Sequence, residues 1–76
     1  MVLEQIIKMV AEQFMVDESE ITPETSFIDD LGADSLDLAE LMVTIEDEFG
    51  IVITDESVHQ LRTVEQITDF VDGLLK

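Results

Sequence analysis

The sequence has no cysteine, which excludes a disulfide framework, a thiolate metal site and a thiol nucleophile of the chain's own. Basic residues are nearly as scarce: Lys and Arg number 3 against 19 Asp and Glu, for a formal net charge of −16. Between Lys8 and Arg62 there is neither Lys nor Arg. Such a surface repels nucleic acid and anionic membranes and steers basic protein patches toward itself. The same self-repulsion works against compactness, so salt or divalent cations should stabilise the fold. No run of 18 apolar residues is present, so nothing in the pattern reads as membrane-inserting. The N-terminus has an amphipathic helical pattern and no signal-peptide layout. A cytoplasmic protein is the expectation, although a processed organellar form would read the same.

Glycine-rich phosphate loops, histidine clusters, internal repeats and low-complexity segments are also missing. With 76 residues, 46% of them hydrophobic, the chain has enough for one core and is read as a single domain over 1–76. Its stability should be on the order of 4–11 kcal/mol.

Leu3, Ile6, Ile7, Val10 and Phe14 follow helical spacing, opposite Glu4, Lys8 and Glu12, and predict an amphipathic helix over 2–15. Periodicity fails over 16–33. That length of loop in a small domain implies a segment packing its own side chains, with Ile21, Phe27, Ile28 and Leu31 pinned over the core. A second helix is predicted over 35–49, ending at Gly50, which suits the left-handed position past a helix end. Residues 51–53 resemble a strand in composition but have no partner strand, so an extended buried connector is expected. Thr54 can cap a short helix through about 61. Thr63 and Gln66 fit a capping box for a last helix that presents Val64, Ile67, Phe70, Val71 and Leu74 on one face. The expected fold is all-α: a small four-helix bundle of three main helices and one short one, with a long ordered loop between the first two.

The second helix opens on Asp30-Leu31-Gly32-Ala33-Asp34-Ser35-Leu36-Asp37. Gly32 permits a tight turn, Asp34 is a good N-cap, and Asp37 is placed to reach back to it. Ser35 then falls on the first turn with its hydroxyl outward. On the helical wheel Leu38, Leu41, Met42, Ile45 and Phe49 form the core face, while Leu36, Glu40, Val43 and Asp47 fall opposite, beside Asp37 and Thr44. A partner with basic residues and a small apolar pocket could read that stripe and reach Ser35 together. By spacing alone, however, the plainer reading of Ser35 is an ordinary helix-start residue.

Catalysis by Ser35 would need an oriented base. The single histidine, His59, sits among polar neighbours and reads as a solvated residue, and Asp34 and Asp37 disfavour deprotonation of the hydroxyl. An EF-hand fails as well, because Asp29 and Asp30 are adjacent instead of alternating. Only weak surface binding of divalent ions by Asp29, Asp30, Asp34 or the 46–48 run is expected, and no metal site is assigned.

Gly32-Ala33-Asp34-Ser35-Leu36 resembles the attachment motif of acyl carrier proteins. Phe27-Ile28-Asp29-Asp30-Leu31 is similar to the lead-in of that family, and Glu40-Leu41, Glu46-Asp47-Glu48-Phe49, Asp55-Glu56 and Thr63-Val64 fall where its pattern places them. The resemblance covers essentially the whole chain and is nearest the discrete carriers of fatty-acid synthesis. It departs at Val52, where an acid is common, and at Thr54, where proline is common.

The resemblance implies that Ser35 receives 4′-phosphopantetheine from coenzyme A as a phosphodiester, placed by a separate Mg²⁺-dependent phosphopantetheinyl transferase. The arm's thiol would carry acyl groups as thioesters, so the chain itself would not be an enzyme. Asp34, Leu36, Asp37, Glu40, Val43, Glu46 and Asp47 would form the face read by fatty-acid-synthesis enzymes with basic patches. Leu41, Ile45, Ile53, Val58, Leu61 and Ile67 would line an acyl pocket. A monomer is implied, with polyketide or another specialised acyl pathway as the alternative use. An unmodified acidic interaction module is the competing class. The phosphate would gain from the helix N-terminus, while Asp34 and Asp37 would discourage it from lying on the surface.

Overall fold

The computed structural model describes residues 2–53 and 61–75. Among the described residues the regular structure is three α-helices and one 3₁₀ turn: α1 (Val2–Phe14), the 3₁₀ turn Glu18–Glu20, α2 (Ser35–Phe49) and α3 (Val64–Leu75). Among the described residues there is no strand, only an isolated antiparallel bridge between Ser26 and Thr63. The three main helices are those the sequence predicts. The short helix expected over 54–61 falls almost wholly outside the described residues, as do Val58 and His59.

Each helix begins and ends for a local reason. In α1, Ile6, Val10 and Ala11 are buried, the spacing of one helical face. The helix stops at Phe14, one residue before the predicted end, because Met15 adopts φ 58°, a left-handed conformation that continues no right-handed helix. At the far end of α2, Gly50 takes φ 66°, ψ 39° and donates its N–H to the Glu46 carbonyl at 2.8 Å, as the sequence predicts. α3 opens with the expected Thr63–Gln66 box: the Gln66 N–H reaches Thr63 Oγ1 at 3.2 Å, and Gln66 Oε1 accepts from the Thr63 N–H at 3.2 Å. The 3₁₀ turn carries a further capping box between Asp17 and Glu20.

α1 lies between the other two helices and packs against both, whereas no Cα of α2 comes within 8 Å of one in α3. Side chains fill the space between them. Ile6, Val10, Leu41, Ile45, Val64, Ile67 and Val71 are fully buried in one continuous core. At roughly 1.5–3 kcal/mol for each buried large apolar side chain, this cluster is the main source of stability.

The long loop is ordered, as expected, around Phe27, which is 0% exposed. Backbone bonds stitch it to the segment that opens α3. Phe27 N–H donates to the Arg62 carbonyl at 3.0 Å, Val64 N–H to the Thr25 carbonyl at 3.1 Å, and Glu65 N–H to the Pro23 carbonyl at 2.9 Å. Thr25 is the buried polar residue among those described. Its Oγ1 accepts from the Thr22 N–H at 2.8 Å, so it costs no unsatisfied group.

Two expectations for this region change. Ile28 is not pinned over the core but 52% exposed, because Phe27 takes the inward position and its neighbour in the turn faces away. The connector over 51–53 is not uniformly buried. Ile53 is buried and Ile51 half-buried, whereas Val52 is 78% exposed, the alternation of an extended chain.

Candidate functional site

Ser35 is the first residue of α2, and three local devices fix where it stands. Gly32 adopts φ 66°, the turn that only a residue without a Cβ enters at no cost. Ala33 is buried and gives its N–H to the Phe27 carbonyl at 2.8 Å, tying the turn to the core aromatic. Asp34 is extended at φ −104°, ψ −175° and closes the predicted capping box. Its Oδ1 accepts from the Asp37 N–H at 2.9 Å, and Asp37 Oδ2 accepts from the Asp34 N–H at 3.2 Å. From α1, Gln13 Nε2 donates to the Asp37 carbonyl at 2.8 Å, anchoring the start of α2 to the bundle.

The outcome is a rigid helix start with an exposed Ser35, whose hydroxyl has no hydrogen-bond partner among the described residues. The carboxylates on either side are occupied with each other's backbone and are not oriented to activate it. A hydroxyl so held can be reached by another protein's active site. It cannot deprotonate itself, since a serine nucleophile needs a base within hydrogen-bond reach.

The predicted outward stripe is outward. Leu36 is 66% and Val43 55% exposed, and Glu40, Thr44 and Asp47 are exposed. Ala39, Glu40, Val43 and Thr44 border a shallow depression of about 380 Å³ on this side. Asp34 is exposed and Asp37 half-buried within the capping box. Glu46 is placed differently from the other candidates on this face. It is half-buried, and its Oε2 accepts from the Ile53 N–H at 2.8 Å, so its carboxylate holds the connector after α2.

A cleft of about 610 Å³ adjoins Ser35. Its walls include Leu38, Met42 and Glu46 from α2, Ile53 from the connector, and Leu61 and Arg62 ahead of α3. Of the six residues expected around an acyl pocket, Ile53 and Leu61 line this cleft. Leu41, Ile45 and Ile67 are instead fully buried in the core, and Val58 lies outside the described residues. Leu38 and Met42, read from the wheel as core face, and the half-exposed Ile28 also line it. Apolar residues at helical spacing carry no mark that separates a cleft wall from a core. Among the described residues no group of three or more His, Cys, Asp or Glu side chains could hold a metal ion. No helix among them is long and apolar enough to cross a membrane.

These features suit a covalently attached, elongated group. The Ser35 hydroxyl is accessible, its neighbours leave it free, and a mostly apolar cleft of ligand-binding size begins at the same residue. A family model described as phosphopantetheine attachment site matches residues 4–71. That span contains Ser35, the Asp34–Asp37 box and every described residue of the cleft.

Proposed function

This chain belongs to the phosphopantetheine attachment family, and from that premise we propose that it is a non-catalytic acyl carrier protein of fatty-acid synthesis, modified at Ser35 and acting as a monomer. The family carries covalent 4′-phosphopantetheine. The observation that supports Ser35 as its place is the combination found there: an exposed hydroxyl on a capped helix start, opening onto the cleft. In the attachment, Ser35 Oγ exchanges its proton for an ester bond to phosphorus, the pyrophosphate of coenzyme A is cleaved, and the transferase removes the proton and the nucleotide. When bound, the group supplies a terminal thiol that carries acyl chains as thioesters, chemistry that the cysteine-free chain cannot provide.

The chain's own residues then do three things. The capping box and Gln13 hold Ser35 in a fixed place. Leu36, Glu40, Val43 and Asp47 offer a transferase and successive pathway enzymes an acidic, partly apolar surface. The cleft walls shelter apolar atoms from water. Binding through exposed charge is fast to form, fast to break and weakened by salt, as a shuttle between enzymes requires. The assignment to fatty-acid synthesis is supported by the Gly32-Ala33-Asp34-Ser35-Leu36 run.

Intact mass after incubation with coenzyme A and a phosphopantetheinyl transferase tests this reading. One added phosphopantetheine, absent in Ser35→Ala, is expected. A wild-type chain that gains no mass overturns it. Thioesters on the protein recovered from its native host identify the pathway. Fatty acyl chains support the assignment and polyketide intermediates replace it.

A further inference from the structure

Among the described residues Arg62 is the one basic residue in the cleft that adjoins Ser35, in a chain with only 3 Lys and Arg. Its side chain makes no ion pair or hydrogen bond among the described residues, although Asp34 and Glu46 line the same cleft. Both carboxylates are already engaged with backbone N–H groups, Asp34 with Asp37 and Glu46 with Ile53.

The backbone of Arg62 is held on both sides. Its N–H donates to Gln66 Oε1 at 2.7 Å, and its carbonyl accepts from the Phe27 N–H at 3.0 Å. The Phe27 carbonyl in turn accepts from the Ala33 N–H at 2.8 Å, two residues before Ser35. Two backbone hydrogen bonds through a fully buried aromatic residue therefore fix Arg62 relative to the start of α2. An unpaired guanidinium on a backbone fixed in this way, lining the same cleft as a hydroxyl that becomes an anion on modification, is available as its counter-ion.

The geometry points to Arg62 as the internal clamp of the phosphodiester on Ser35, a positioning role that rests on the attachment reading above. The electrostatics favour it. A phosphodiester adds negative charge beside Asp34 and Asp37 in a chain already at −16, and Arg62 is the cation that shares its cleft. The planar fork of arginine matches two phosphate oxygens at once, which the point charge of lysine does not. Arg62 thereby offsets the repulsion from the flanking acids and keeps the near end of the arm against the cleft.

The test compares unloaded and loaded protein, with loading verified by mass. In the wild type, Arg62 Nε–H exchange with solvent should slow on loading. The ³¹P resonance of the loaded protein should shift in Arg62→Gln and lie between the two in Arg62→Lys. Rising NaCl should move the wild-type resonance toward the Arg62→Gln position. Arg62→Gln should lower the melting temperature of the loaded form more than that of the unloaded form. If loading succeeds but Arg62 exchange and the ³¹P resonance are indifferent to each other, the clamp is refuted while attachment stands. If the wild type takes no phosphopantetheine, the attachment reading fails and the clamp with it. The exchange measurement needs only wild-type protein, so a variant that folds poorly does not protect the idea.

Discussion

Replacing Glu46 separates two roles that a carboxylate at this place can have. By the resemblance, Glu46 belongs with the acids that partners grip. In the structure its Oε2 accepts the Ile53 N–H at 2.8 Å from seven residues away, and its own carbonyl receives the Gly50 and Ile51 N–H groups. Glu46→Ala removes the side-chain acceptor and leaves a part-buried N–H to find water. A hydrogen bond to a charged group contributes about 1.5–3 kcal/mol. Partial exposure places this one near the lower end, and the better helix propensity of alanine returns a few tenths. The expected loss is about 1 kcal/mol, or roughly 4–8 °C in melting temperature for a domain of this size. Glu46→Gln keeps an acceptor of about half the strength and removes one charge from a strongly acidic surface, so it should lose no more than half as much. Urea and thermal melts of the two variants decide the matter. Equal losses in both would mean that charge, not the bond to Ile53, is what Glu46 contributes, and no loss in Glu46→Ala would refute the role altogether.

Gly50→Ala should lower stability by about 1 kcal/mol in a thermal melt. Nothing stands within 4 Å of the added Cβ, so the cost is the left-handed backbone alone, about 1–2 kcal/mol, less the stabilisation that comes from the lower entropy of the unfolded chain. Gly50→Asn should lose less, since asparagine tolerates this conformation. Reversing Glu40 or Asp47 to Lys should slow phosphopantetheine transfer by roughly tenfold, because a close charge pair in water is worth about 1 kcal/mol and reversal counts it twice before screening. Circular dichroism should be unchanged, since both side chains are exposed, and unchanged transfer rates would remove that face from the recognition surface.

What the sequence disclosed was set by how local each signal is. The Asp34–Asp37 and Thr63–Gln66 boxes and the Gly50 stop each depend on residues within one helical turn, and all three are found where the spacing puts them. The Asp17–Glu20 box has the same three-residue spacing but precedes no apolar helical run, so nothing drew attention to it. The Ser26–Thr63 bridge joins residues far apart in sequence with no periodic pattern to announce it. It sits next to the point where one loop side chain, Phe27, turns inward and the next, Ile28, does not. The cleft was legible only as far as Ile53 and Leu61. Leu41 and Met42 are neighbours with the same apolar character, yet only Met42 lines the cleft, and that difference comes from where the other elements pack. Arg62 escaped notice for a related reason: a single basic residue gains meaning only when the fold brings it beside Ser35.

α2 carries both surfaces that a carrier needs, and they are not independent. Ala39 and Val43 border the outward depression as well as the cleft, so a partner seated on the acidic stripe touches residues that also form a cleft wall. Ser35 stands at the head of both. A wider separation of the two surfaces would need a longer helix or a second element, and neither would leave Ser35 at their junction. With the hydroxyl at the first helical position, Leu36 one residue on leads along the exposed stripe and Leu38 three residues on leads into the cleft. On the carrier reading, a docked enzyme therefore presses on the wall behind which the cargo lies. Docking and release of cargo then act through the same side chains.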